Sequence, residues 1–483
     1  MKKIIFCLIL LILALPVYSQ FNNKRALRGV WIATVANIDF PTKSGLSVEK
    51  QKEEMIFLLD KVKSHNMNTI IFQIRPAADA FYNSHLEPSS RWLTGKQGAD
   101  AGYDPLQFAI DECHKRGLYI HAWINPFRIT GDTTVYNTFA KNHIIYRHPE
   151  WTISYRKEKF FNPGLDEVRE YTCRVVKDIV SNYDIDALHI DDAFYPWVVK
   201  EQEYADSRTF AQNPRGFTNR EDWRRNNVNM IIQEISKTIK SIKPWVEFGI
   251  SPSGVSSHNY NSLYADVSLW QKEGWIDYVL PQLYFNIGYS AADYAVWIEW
   301  WAKNNYGTVV YAGLAPYKVS KQAKQISWHT SEEIIRQINV NKKYPNVKGE
   351  VFFSAKSIFK NPDVNLEERL RTNEYKTLSI APENNRIARI EPENPLNVKM
   401  QIIDEKNIFL KWERGKNAKR FVIYKFEKYK PINIDNPSSI IEVTGLTEII
   451  LHDMVKDLQK YRFAVTSLSP THTESTVVFV ESK

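Results

Sequence analysis

The chain reads as α/β: a (β/α)8 (TIM) barrel over residues 25–373, then an all-β sandwich over 395–483. Three observations predict this. From Leu27 to about Phe359, eight short apolar runs alternate with amphipathic helical stretches. The runs are continuously apolar, as the strands of a parallel sheet covered on both faces must be. After a stretch rich in Pro, Asn and charge, the pattern turns to short strands of alternating polarity.

In chain order, residues 1–19 predict a cleaved signal peptide: Lys2 and Lys3, an apolar run from Ile4 to Leu15, then Val17-Tyr-Ser19 as the cleavage site. That run is too short to span a bilayer, so the expectation is a periplasmic or secreted protein with no transmembrane anchor after cleavage. The first four barrel runs are Arg28–Thr34, Thr69–Arg75, Leu118–Asn125 and Ala187–Asp191. The last four are Glu247–Ser251, Tyr278–Tyr284, Val309–Leu314 and Glu350–Ser354. Helical patterns such as Val48–Asn66 and Leu165–Asn182 lie between them, and eight runs with crossovers is the strand count of a closed barrel. A doubly wound open sheet is the alternative; no glycine-rich loop follows the first run, where Val35-Ala-Asn-Ile-Asp-Phe-Pro41 stands instead. Residues 374–394 read as a linker. Seven strand patterns then run from Leu396–Ile402 to Thr476–Val480. Within them Trp412 and Tyr461 resemble the core tryptophan and corner tyrosine of a fibronectin type III domain.

Hydrophobic residues make up 43% and charged residues 24%, an ordinary globular balance. The net charge of +8 becomes +6 without Lys2 and Lys3, which suits an anionic polymer and calls for no nucleic acid. Cys113 and Cys173 both fall in helical patterns and are expected as free thiols. His143 and His148 are five residues apart, poor spacing for joint metal ligation. They are expected in solvent, and neither metal nor cofactor is expected.

The candidate site starts from Asp186-Ala-Leu-His-Ile-Asp-Asp-Ala-Phe-Tyr-Pro196, a buried strand running into adjacent carboxylates. Alternation sends His189 and Asp191 to one face and Asp192 to the other. Unpaired charge at a buried strand end is costly, which marks these residues out. The other strand ends supply Asp39; Gln73, Arg75 and Asp79; Trp123, Asn125 and Arg128; Ser251; and Gln282 and Tyr284. Their loops hold Trp92, Phe127, Tyr195, Trp197, Phe285 and Tyr317. Carboxylates, amides, arginine and flat rings together are what sugar recognition needs. Glycoside cleavage requires one carboxylate as nucleophile or base and another carboxyl as acid. Asp191 is the candidate for the first; Asp192, Asp39, Asp79 and Asp266 stay open for the second. The competing structural readings are a capping role for the paired aspartates, core packing for the aromatics, and a fixed ion pair for Arg75.

Several ordered motifs resemble the bacterial glycoside-hydrolase-like family ten proteins. They are Leu27–Thr34 with Ile38-Asp-Phe-Pro41, Phe72–Pro76 with Asp79–Tyr82, and Ala122–Arg128. Asn162-Pro-Gly164 with Glu167-Val-Arg169, His189–Asp192 with Tyr195-Pro196, and Pro281–Tyr284 complete the set. The resemblance covers about residues 25–360 and implies an exported barrel glycosidase; some members of that family are associated with peptide-free peptidoglycan strands. The fourth-strand motif is also similar to that of α-amylase-type barrels, which implies Asp191 as nucleophile. His189 stands where those barrels have arginine, and Gly249-Ile-Ser-Pro-Ser-Gly254 lacks their acidic glutamate.

The resulting expectation is a hydrolase of an amino-sugar glycan, with peptide-free peptidoglycan as substrate. Asp191, Asp192 and His189 are the catalytic set. Asp39, Gln73, Arg75, Asp79, Trp123, Asn125, Arg128, Asn162, Tyr195, Gln282 and Tyr284 contact substrate. A lactyl carboxylate on the substrate would pair with Arg75 or Arg128. The sandwich is expected as a spacer or docking module. The alternatives are an α-glucan-type hydrolase, a non-catalytic glycan-binding protein, and a metal-dependent deacetylase, the last lacking two histidines at ligand spacing.

Overall fold

The computed structural model describes residues 24–131, 138–199, 201–361 and 365–482; the expected signal peptide lies outside them. The strands of the first region are β1 (Leu27–Ile32), β2 (Thr69–Arg75), β3 (Tyr119–Ile124), β4 (Arg128–Thr130), β5 (Thr152–Tyr155) and β6 (Glu158–Phe161). They continue with β7 (Ala187–Ile190), β8 (Glu247–Ile250), β9 (Tyr278–Val279), β10 (Val309–Leu314) and β11 (Val347–Phe352). Eight of these close into a barrel in the order β1-β11-β10-β9-β8-β7-β3-β2, every neighbouring pair parallel.

Alternation along the strands divides the apolar side chains into two sets. Leu27, Trp31, Ile71, Trp123, Tyr278, Tyr311 and Val351 fill the barrel interior. Val30, Ile32, Ile70, Phe72, Ile120, Leu188 and Ile250 face outward to the helices. The Tyr278 ring occupies the space a side chain on β8 would take: a Cβ at Gly249 would lie 1.9 Å from it. Helix Val48–Ser64 starts at Ser47, whose hydroxyl accepts from Lys50 N, and it buries Met55, Leu58, Leu59 and Val62 at helical spacing. Helix Asp166–Asn182 covers the sheet in the same way through Val168, Val175, Val176 and Ile179.

The Tyr278–Tyr284 run shortens to the two residues of β9, because Pro281 has no N–H for a ladder; Gln282 continues it as isolated bridges to Ser253 and Gly313. The sequence reading missed the three-stranded sheet β4-β6-β5, inserted after β3.

The second region comprises β12 (Leu396–Ile402), β13 (Ile408–Glu413), β14 (Arg420–Glu427), β15 (Ile440–Thr444), β16 (Glu448–Leu451), β17 (Tyr461–Leu468), β18 (Val478–Phe479) and β19 (Glu481–Ser482). Two four-stranded sheets, β16-β13-β12-β19 and β15-β14-β17-β18, make a sandwich. Trp412 is buried between them with Leu410, Phe421 and Phe463. Tyr461 is only half-buried, with the Lys425 ammonium 4.7 Å from its ring centre.

The sandwich sits directly on the barrel floor, at the N-terminal ends of the strands. Arg420 enters beneath β3 and β7, donating to both Asp186 oxygens at 3.0 and 2.7 Å and to Leu118 O at 2.8 Å. Gly445 leaves room for the His114 backbone, and Gly117 for that of Val443; a Cβ at either would approach a carbonyl oxygen within 2.4 Å. The stretch expected as a linker, 374–394, is instead pinned to the same floor. Ile380 O accepts from Ala26 N and Ile380 N donates to Lys24 O, on the approach to the first strand, and Asn384 donates to Glu247 Oε1 and Asp277 O. Its proline- and asparagine-rich composition reflects irregular backbone, not freedom.

Candidate active site

The strands end at a mouth opposite the sandwich, the face where barrels of this kind build their sites. At its centre is Asp191. Trp123 Nε1 donates to its Oδ2 at 3.1 Å, and Asn125 Nδ2 and Ala193 N donate to its Oδ1 at 3.0 and 3.1 Å. The Asn125 amide is itself oriented, its Oδ1 accepting from Phe127 N and Arg128 N at 3.2 and 2.7 Å. Asp191 is thus an acceptor held from three sides.

Asp192 does not turn to the far face. Regular strand ends at Ile190, so alternation lapses before the pair, and the Asp192 carboxyl comes beside Gln282 at the end of β9. Burial and the neighbouring Asp191 charge push its pKa up to about 6 against the smaller opposing effects of Gln282 and Arg128. Gln282 is fixed by its own bond to Ser251 O at 2.9 Å. Burial, with Tyr317 and the two aspartates, holds the Tyr284 phenol well above its ordinary value, so it stands beside them as a neutral O–H.

His189 lies one layer below. Its Nδ1 is 2.9 Å from Tyr278 Oη and its Nε2 is 2.9 Å from Ser251 Oγ, while Tyr278 Oη also meets His121 Nδ1 at 2.9 Å. Burial drives the His189 pKa well down, so the ring is neutral. The expected catalytic contact for His189 is therefore corrected: it braces Ser251 and Tyr278, and no bond to Asp191 is made.

Other expected contacts are also spent on the scaffold. Arg75 is buried and paired with Glu87 through Nε and Nη2 at 2.7 and 2.5 Å, and it donates to Asn125 O. Asp39 accepts from Ala33 N, Ser354 Oγ and Lys356 N at 2.7–2.8 Å, tying the ends of β1 and β11 together. Asn162 closes its own turn through Gly164 N and reaches Thr209. Tyr195 is buried against Tyr204 and Tyr264. Asp79 is enclosed, with Gln97 at 3.1 Å and a pKa pushed up to about 6 by burial. Asp266 caps a helix by accepting from Leu269 N. Gln73 accepts from Thr34 N and Val35 N through Oε1, while its buried Nε2 has no partner. Arg128 is half-buried beside Asp192.

Of the loop aromatics, Phe127 is buried like Tyr195, and Trp92 and Phe285 are half-buried. Trp197 and Tyr317 are exposed at 53% and 48%. Sequence reasoning missed His258 and Phe353, which stand against them, and Glu87, the partner of Arg75; no local spacing marks any of the three. His143, expected in solvent, is buried and stacked on Phe139, while His148 stacks on Trp151. Among the described residues no group of three or more His, Cys, Asp or Glu could hold a metal ion.

The profile of the family described as Glycosyl hydrolase-like 10 matches residues 26–330. Glycosyl hydrolase YngK of Bacillus subtilis (strain 168) is 38% identical over 487 residues, covering 96% of this chain and 94% of that protein. Glycosyl hydrolase DigH of Escherichia coli (strain K12) is 34% identical over 373 residues, covering 70% of this chain and 85% of that protein. Among solved structures the chain is similar to the PgaB (BpsB) glycoside hydrolase domain of Bordetella bronchiseptica, with a TM-score of 0.46, 12% identity, and 72% and 98% of the two chains covered. It is also similar to the endo-beta-1,4-mannanase of Thermotoga petrophila, with a TM-score of 0.43, 12% identity, and 96% and 100% covered. On the profile match and these two relatives, the chain belongs to the Glycosyl hydrolase-like 10 family.

Proposed function

We propose that the protein is an exported glycoside hydrolase that cuts an amino-sugar glycan, with peptide-free peptidoglycan strands as its substrate. The observation that carries this reading is the unequal pair at the barrel mouth. Asp191 is gripped by three N–H donors, and Asp192 has a pKa raised to about 6. A carboxyl raised toward neutral pH beside one fixed by N–H donors is what acid-assisted glycoside cleavage needs. Asp192, protonated, gives its proton to the leaving glycosidic oxygen. Asp191 serves as nucleophile at the anomeric carbon or as base toward the attacking water, and Trp123 and Asn125 fix its oxygens. Where Asp191 attacks as nucleophile, Asp192, once ionised, takes a proton from the water that releases the glycosyl group from Asp191; where Asp191 acts as base, that proton goes to Asp191 itself. Gln73 Nε2, Gln282 and the Tyr284 phenol offer donors and acceptors to sugar hydroxyls. Arg128 pairs with a lactyl carboxylate, a role Arg75 cannot take while bound to Glu87.

Residues 1–19 act as the export signal in this reading, placing the protein in the periplasm or outside the cell. The sandwich is of fibronectin type III kind, with Trp412 as its core residue.

The test uses residues 20–483 on peptidoglycan with and without removal of its stem peptides, with fragments identified by mass and Asp191→Asn as control. Saccharide release from the stripped polymer alone, lost in the variant, supports the proposal. Silence on both polymers overturns the substrate, and release undiminished in the variant overturns the role of Asp191.

A further inference from the structure

The two loop aromatics that stay exposed are each built as a flat face. Trp197, five residues beyond Asp192, stacks on His258 from the short helix Ser256–Ser262 that follows β8, with ring centres 4.2 Å apart and 29° between planes. Burial lowers the His258 pKa, so a neutral ring backs the indole. Tyr317, after β10, stands edge-on to Tyr284 at 5.9 Å and to Phe353 at 6.1 Å, which holds its ring upright at the rim. Phe353 leans in turn on Trp31 of the barrel interior at 5.9 Å, so this face is anchored to the core.

Contacts order these groups around the mouth. Trp197 and His258 lie on the β7–β8 side, and Asp192 reaches Gln282 at β9. Tyr284, two residues further, carries the contact to Tyr317 and Phe353 on the β10–β11 side. The carboxyl pair, at the end of β7, is thus linked through Tyr284 to the Tyr317 face, and the Trp197 face lies on the loop that follows the pair. An exposed tryptophan and tyrosine each leave a large apolar face in water, a cost that the apolar face of a pyranose ring would remove on stacking. Their hydroxyl and indole edges stay wet, as a sugar's own hydroxyls require.

We infer that Trp197–His258 and Tyr317–Phe353 are two pyranose-binding platforms on opposite sides of the aspartate pair, so that an extended glycan lies across the mouth and is cut internally. This rests on the glycosidase reading and adds the direction and mode of binding. A chain held at both platforms presents an inner linkage to Asp192; a pocket for a chain end would be closed on one side, and here both sides carry a face.

A ladder of glycan oligomers of defined length, prepared from peptide-stripped strands, tests this with the full mature chain. For the wild type, kcat/KM rises with length and products of intermediate size accumulate first. Trp197→Ala and Tyr317→Ala each lose about tenfold or more on long oligomers, a loss that shrinks as the oligomer shortens, while Trp197→Phe keeps most of the gain. A length dependence unchanged in both alanine variants, or release of single end units by the wild type, overturns the platforms. Calorimetric binding to Asp191→Asn on the same ladder separates the two readings. Affinity that grows with length and falls with Trp197→Ala, without turnover by the wild type, keeps the platforms and sinks the hydrolase. Binding that is absent or indifferent to length sinks the platforms.

Discussion

Replacing Arg420 by alanine should loosen the joint between the two regions and destabilise the whole protein. Arg420 and Asp186 are 1% and 2% exposed at their side chains. The guanidinium also lies 3.9 Å from the centre of the Tyr119 ring. Removing it leaves a carboxylate under β7 with Ile120 N, Lys419 at 3.2 Å and the His114 ring at 3.8 Å. Stranding one member of a buried pair costs about 3–5 kcal/mol, and the surviving Lys419 puts the expectation near the lower end. The pH dependence sharpens the test. Burial pushes the Asp186 pKa up, but Arg420, Lys419 and His114 outweigh it and hold it well below the ordinary carboxylate range. In the wild type this contribution is complete above the unfolded value of about 3.9 and is lost as pH falls through it toward the folded one. Without Arg420, burial dominates, the folded pKa rises above the unfolded one, and the variant regains stability as pH falls. Urea unfolding at neutral pH and near pH 4.5, followed by tryptophan fluorescence, should show a deficit of about 3 kcal/mol that narrows at the lower pH. A deficit under about 0.5 kcal/mol, or one that does not change with pH, would refute the reasoning.

Three further outcomes follow from the site and the barrel. Asp192→Asn should lower kcat by about 10²–10⁴-fold. The wild-type rate should fall as pH rises past about 6, through loss of the Asp192 proton, and the variant's pH–rate profile should lack that limb. Asn125→Ala removes one donor from Asp191 and leaves Phe127 N and Arg128 N without their acceptor, so kcat should fall more than KM rises on stripped glycan. Gly249→Ala drives a methyl group into the Tyr278 ring and should cost about 1–3 kcal/mol or more in denaturant titration, with His189 and Ser251 displaced.

The barrel was legible where local chemistry decides the outcome. Thr69–Arg75 and Val309–Leu314 are strands over the residues their apolar runs predict, since a strand buried on both faces has no polar alternation to blur its ends. The runs at Ala187 and Tyr278 were overextended. In the first, the carboxylates begin where the ladder stops; in the second, Pro281 ends it. Asp191 was legible as a charged residue at a buried strand end, and Trp123 and Asn125 as strand-end polar neighbours. Asp192 was misdirected because the period of two applies only inside a strand. Arg75, Asp39 and Tyr195 were read toward substrate because their partners Glu87, Ser354 and Tyr264 come from loops and distant elements, which spacing does not reveal. The 374–394 stretch shows the same limit: composition describes its irregular backbone, while its placement depends on Ala26, Glu247 and Asp277, more than a hundred residues earlier.

The central claim is that the Asp191–Asp192 pair hydrolyses a glycosidic bond. Its most direct measurement is cleavage of peptide-free glycan strands in water enriched in heavy oxygen, with products quenched, reduced and weighed by mass spectrometry. The account predicts new reducing ends that carry one heavy oxygen, formed by the wild type and not by Asp191→Asn. Products without the label, products lacking the elements of water, or equal label with both proteins would contradict it.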